Sequence, residues 1–101
     1  MPGATNISNC QKAVSDIKKA DKDGKLVGAI CASPAVVLAR HGLIKEKATC
    51  YPAPEFIKAL GDSYTESEVV VCKNIITANG PKSALKFALE IVKWLGLDFN
   101  M

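Results

Sequence analysis

The chain has 101 residues, 49% hydrophobic and 23% charged, which is the ordinary mixture of a globular domain and too short for more than one. Its net charge of +3 comes from thirteen basic and ten acidic side chains, and the basic ones are scattered lysines with Arg40 the sole arginine, so the basic stripe of a nucleic-acid reader is missing. No apolar run approaches the roughly 18 residues of a membrane span, and the start from Met1 to Asn6 lacks the basic-then-apolar pattern of a signal peptide, so a cytoplasmic address with neither membrane nor nucleic-acid partners is expected.

Ile7, Cys10, Val14, Ile17 and Ala20 recur at helical spacing, with Asn6 as the expected N-cap. A polar break from Asp21 to Lys25 leads to Leu26-Val27-Gly28-Ala29-Ile30, an apolar run typical of a parallel strand buried on both faces. Cys31-Ala32 then meets Ser33-Pro34, which reads as an N-cap followed by proline at the first helical position. That helix is expected to run through Leu38 to Arg40 and His41 and to stop at Gly42. Ala48 to Tyr51 reads as a short strand halted by Pro52 and Pro54, and Glu55 to Leu60 as a brief helix. Val69–Cys72 and Ile75–Ala78 read as two strands about a Lys73-Asn74 turn. A last helix spans about Lys82 to Leu95, with an apolar face of Leu85, Ala88, Leu89, Val92 and Leu95, and Gly96 ends it.

Helices alternating with short strands argue for a layered α/β fold. The chain nevertheless opens on a helix, and its few strands are too few for a complete sheet of that kind, so it reads as starting inside a domain.

The four cysteines, at positions 10, 31, 50 and 72, are spaced too widely for a CxxC metal site or a dense disulfide scaffold, so free thiols and no metal are expected. Cys10, Cys50 and Cys72 fall on apolar faces and read as core fillers. Cys31 stands where a strand meets a capped helix, the geometry of a nucleophile elbow. A helix N-terminus favours thiolate over thiol. Read alone, Cys31 is either such a nucleophile or a small buried cysteine at a strand end.

Gly28-Ala29-Ile30-Cys31-Ala32-Ser33-Pro34 resembles the Ala-Ile-Cys-Ala-x-Pro elbow of the ThiJ/PfpI superfamily, in its parkinsonism-associated deglycase branch. The segments His41 to Lys45, Lys47 to Pro52, Ile76 to Pro81 and Phe87 to Val92 are similar to the stretches that follow that elbow, at matching spacing. The resemblance implies a flavodoxin-like (Rossmann-like) three-layer sandwich, with residues 1–101 forming the C-terminal part of one domain and the N-terminal half missing from the chain.

It further implies that Cys31 is the catalytic, easily oxidised nucleophile and that the Ala32 N–H stabilises its anion or a bound oxyanion. Tyr51 would stand in the site wall. The activity implied is of glyoxalase or protein-deglycase type on small aldehydes or glycated groups, without a cofactor. The alternative is a non-enzymatic redox sensor or chaperone-like protein switched by Cys31 oxidation. Dimers are common in the family, so a homo-oligomer or a complementing N-terminal fragment is the expected partner.

The family's catalytic glutamate and Pro-Gly-Gly turn correspond to positions upstream of Met1. Glu55, Glu66 and Glu68 are candidate stand-ins whose simpler reading is solvated surface. Tyr51 replaces a histidine found in several relatives, Ala32 replaces the histidine of the peptidase-like branch, and Lys82 replaces a turn glycine. His41, before Gly42, suits a helix C-terminus better than catalysis. Cys50 is a candidate resolving thiol, and Phe87 and Trp94 are read as packing residues.

Overall fold

β-Branched runs become strands where both faces can be covered. In the computed structural model, which describes residues 2–96, Val27–Ile30 (β1), Val69–Cys72 (β2) and Ile75–Ala78 (β3) form a three-stranded sheet in the order β1-β3-β2. β1 is parallel to β3, with Val27 beside Ile75 and Ile30 beside Ala78. β2 is antiparallel to β3, with Val69 beside Ala78 and Cys72 beside Ile75. The hairpin has the expected bounds, and Lys73 turns it at φ 57°.

The helices are α1 (Pro2–Ser8), α2 (Gln11–Lys22), a π-helix (Pro34–Ala39), α3 (Pro54–Leu60) and α4 (Ala84–Trp94). Because strand side chains alternate, Val27, Ala29 and Ile75 share one face of the sheet. They form a buried core there with Val37, Leu38 and Leu43, against which Ile17, Ala20 and Val36 pack. Gly28 faces the other way, under α4, where an added Cβ would come 3.0 Å from Phe87 Cζ. Helices therefore lie on both faces, the three-layer α/β arrangement of a flavodoxin-like fold. A second core of Ala48, Cys50 and Leu60 sits beneath α3. A groove of about 190 Å³ follows β1, lined by Ile7, Ile17, Ile30 and Phe87 among others.

Five expectations are corrected. The first helix is broken at Asn9-Cys10, so Asn6 lies inside α1 rather than capping it, and Cys10 is exposed rather than a core filler. The periodicity runs across the break although Ile7 of α1 is exposed and only α2 turns its apolar residues, Val14 and Ile17, inward. Ser33 is itself helical (φ −57°, ψ −39°) and makes no capping bond. The helix after it is a π-helix, closed beyond its end by Gly42 at φ 71°, with Leu43 N–H reaching back to Leu38 C=O at 2.8 Å.

Ala48 to Tyr51 is not a strand. It makes one bridge, Ala48 with Tyr64, since the prolines that follow have no N–H to extend a ladder. Finally, α4 turns Phe87 to the sheet, and Leu85 is 68% exposed. This helix is apolar on two sides, and an apolar stripe alone does not say which side meets the sheet.

Candidate active site at the strand-helix elbow

β1 carries the chain into Cys31, whose N–H donates to Ala78 C=O at 3.0 Å and so adds one rung beyond the ladder. There the backbone turns left-handed, at φ 61°. For an L-residue this conformation costs about 1–2 kcal/mol, and such strain collects at functional sites. Cys31 is 6% exposed and Ala32 is fully buried. The elbow read from the sequence is therefore present as geometry.

The Cys31 carbonyl accepts the Tyr51 N–H at 2.7 Å. Peptide bonds in the chain are trans, so the Ala32 N–H points the opposite way from that carbonyl. It meets no acceptor among the hydrogen bonds of the described residues. Cys31, Ala32 and Tyr51 are thus brought together through the backbone, while the Tyr51 side chain is 48% exposed.

Sequence reasoning passed over the two residues that hold Tyr51 in place. Thr49 N–H donates to Thr77 Oγ1 at 2.9 Å, and Thr49 Oγ1 donates to Ser67 C=O at 2.9 Å. Both threonines are buried. The signal available was chemical: a threonine inside an otherwise apolar buried segment must find a hydrogen-bond partner.

The other candidates lie apart from this arrangement. His41 Nε2 is 3.0 Å from Ser8 C=O and 3.2 Å from Ser8 Oγ, and Arg40 donates to Ser8 Oγ and Asn9 Oδ1 at 3.0 and 2.8 Å. The pair fastens α1 to the end of the π-helix, so His41 does not cap its own helix as expected. Glu55, Glu66 and Glu68 are exposed, and Glu68 pairs with Lys86. Burial pushes the Cys50 thiol up to about 11, so it is protonated at neutral pH and a poor resolving nucleophile. Phe87 packs over Gly28 and Trp94 Nε1 donates to Lys73 C=O, so both are structural. The four cysteines are free. Among the described residues, no cluster of His, Cys, Asp or Glu is placed to hold a metal ion, and no helix is long and apolar enough to cross a membrane.

Fold and elbow together define a flavodoxin-like α/β protein built around a strand-end cysteine. The chain belongs to the DJ-1/PfpI family, whose model matches residues 1–94. It is 39% identical over 95 residues to the glutathione-independent glyoxalase DJR-1.2 of Caenorhabditis elegans, covering 93% of this chain and 50% of that protein. With protein DJ-1 homolog B of Arabidopsis thaliana it is 45% identical over 92 residues, covering 90% of this chain and 21% of that one. Among solved structures it resembles oxidised Toxoplasma gondii DJ-1 with a TM-score of 0.87 at 42% identity, covering 94% of this chain and 52% of that one. The chain thus spans about half or less of the length of these relatives.

Proposed function

We propose that Cys31 is the nucleophile of a glyoxalase- or deglycase-type reaction on small aldehydes or glycated groups. The observation that carries this reading is the left-handed turn at Cys31, followed by a buried Ala32 N–H that meets no acceptor among the described residues. On methylglyoxal the thiolate would add to the aldehyde carbon, forming a C–S bond and an alkoxide that the Ala32 N–H stabilises. A proton then moves from that carbon to the neighbouring carbonyl carbon through an enediol, giving a lactoyl thioester. Water cleaves the thioester to lactate and returns the thiol. The transfer needs an acid-base group at the sulfur, and Glu55, Glu66 and Glu68 stand exposed.

The reading therefore includes a partner. The remaining length seen in the relatives, on this polypeptide or a second one, would add strands along β1 and supply the carboxylate, and self-association into a dimer is part of the proposal. A reducing compartment such as the cytoplasm suits the free thiols.

The test is methylglyoxal consumption and lactate formation by wild-type and Cys31→Ser proteins. Turnover lost in the variant supports the reading, and turnover retained by it sinks the nucleophile. The oxidised Toxoplasma relative favours a second reading, a redox sensor. Selective conversion of Cys31 to sulfinate at low peroxide, with no aldehyde turnover, would decide for it.

A further inference from the structure

We infer that Thr77 is a positioning residue for the Cys31 centre, acting through Thr49 and Tyr51 on the peptide that joins Cys31 to Ala32. The inference rests on the reading of Cys31 as a thiolate nucleophile. Thr77 lies on β3, the strand beside β1, and is almost wholly buried. Its hydroxyl oxygen accepts the Thr49 N–H at 2.9 Å. Two residues on, the Tyr51 N–H donates to the Cys31 carbonyl at 2.7 Å. That carbonyl and the Ala32 N–H belong to one planar trans peptide, so fixing one aims the other.

The segment from Ala48 to Tyr51 is held at Ala48 by backbone bonds with Ser63 and Thr65 and by the burial of Ala48 and Cys50, and between them Thr49 adds two side-chain anchors. One of them joins Thr49 Oγ1 to the Ser67 carbonyl, just ahead of β2. The other reaches the central strand. Without the Thr77 hydroxyl the loop keeps its backbone bonds but loses its side-chain tie to β3, which loosens the aim of the Ala32 N–H. The titratable side chains on this loop are Cys50 and Tyr51. Cys50 stays protonated through the neutral range, so it adds no charge there.

The experiment is iodoacetamide alkylation of the full chain, with the Cys31 peptide quantified by mass spectrometry between pH 6 and pH 10. Thr77→Val should slow Cys31 alkylation about three- to ten-fold at pH 7, the scale of the net contribution of one neutral hydrogen bond. The difference between the two rates should shrink as the pH is raised towards 10. Thr77→Ser, which keeps the hydroxyl, should restore the wild-type profile.

Thr49→Val removes the bond to Ser67 but keeps the Thr49 N–H donated to Thr77, so it should move the profile clearly less than Thr77→Val does. If Thr49→Val moves the profile as far as Thr77→Val, or Thr77→Ser fails to rescue it, the inference is wrong. If wild-type Cys31 is ionised at pH 7 and Thr77→Val leaves it so, the inference alone falls. Wild-type Cys31 reacting no faster than exposed Cys10 at pH 7 overturns the thiolate reading, and this inference with it.

Discussion

Asp21, at the end of α2, is the most consequential polar group away from the elbow. Its carboxylate accepts from Lys45 Nζ at 2.8 Å and from Asn74 Nδ2 at 2.9 Å. Asn74 also donates to Lys25 C=O at 2.9 Å, and its own carbonyl accepts the Val27 N–H at 2.8 Å. This one node fixes the start of β1 against the hairpin turn. Asp21→Ala would leave the Lys45 ammonium without its acceptor and the Asn74 amide with the Lys25 carbonyl alone.

Breaking a fully buried pair costs about 3–5 kcal/mol, whereas an exposed pair contributes about 0–1 kcal/mol. The side chains of Lys45 and Asp21 are 28% and 13% exposed, so a loss of about 2 kcal/mol is expected, from values between those limits. With a urea slope of roughly 1.3 kcal/mol/M, that lowers the unfolding midpoint by about 1.5 M. A double-mutant cycle with Lys45→Met should give a coupling of about 1 kcal/mol.

The Lys45 hydrogen bond is the main cause that holds the Asp21 carboxyl below the usual carboxylate range, with help from Asn74 and against the opposing effect of burial. A carboxyl depressed by folding stabilises the native state above its unfolded value of about 3.9 and loses that contribution as pH falls through the folded value. The gap between wild type and Asp21→Ala should therefore narrow below about pH 4. A loss under about 0.5 kcal/mol with no coupling, or a gap unchanged from neutral pH to pH 2.5, would refute the reasoning.

Three further outcomes are expected. Leu38 is 2% exposed in the core between the π-helix and the sheet; Leu38→Ala should cost about 3 kcal/mol in urea unfolding, and a loss below 1 would mean that the core is looser than described. Lys73→Gly relieves the left-handed turn of the hairpin at the expense of a more flexible unfolded chain, so a net gain of about 0.5 kcal/mol should raise the melting temperature slightly. The Cys50 thiol, raised by burial to about 11, ionises later in the folded state than in the unfolded one. Its stabilising contribution is present below about pH 8.5 and declines as pH rises towards the folded value; Cys50→Ala should flatten that alkaline decline, which unfolding curves at pH 8 and pH 10.5 would reveal.

The parts of the fold legible in the sequence are those decided by neighbours in the chain. The hairpin could be bounded to the residue because two β-branched runs flank a two-residue polar turn. Gly42 and Gly96 could be placed as helix stops because both adopt positive φ, at 71° and 72°. What escaped depends on contacts distant in sequence. The break at Asn9-Cys10 leaves no gap in the apolar rhythm. The inward side of α4 is chosen by Gly28, whose missing side chain admits Phe87. His41 looked like a helix cap until α1 was seen lying across it.

The site divides in the same way. The turn at Cys31 was readable because a strand-to-helix elbow is a local pattern. The Thr77 anchor was not, since it joins residues 28 positions apart in the chain.

β3 is the strand with neighbours on both sides, and this should set an order in time. Amide hydrogens along Ile75–Ala78 should be the last to exchange with deuterated solvent, after the edges of the sheet have opened and closed many times. Cys31 is tied to that strand directly through Ala78, and the Tyr51 loop is tied to it through Thr77. The elbow would then persist through the frequent small openings of the molecule and be lost only in the rare event that dissolves the sheet.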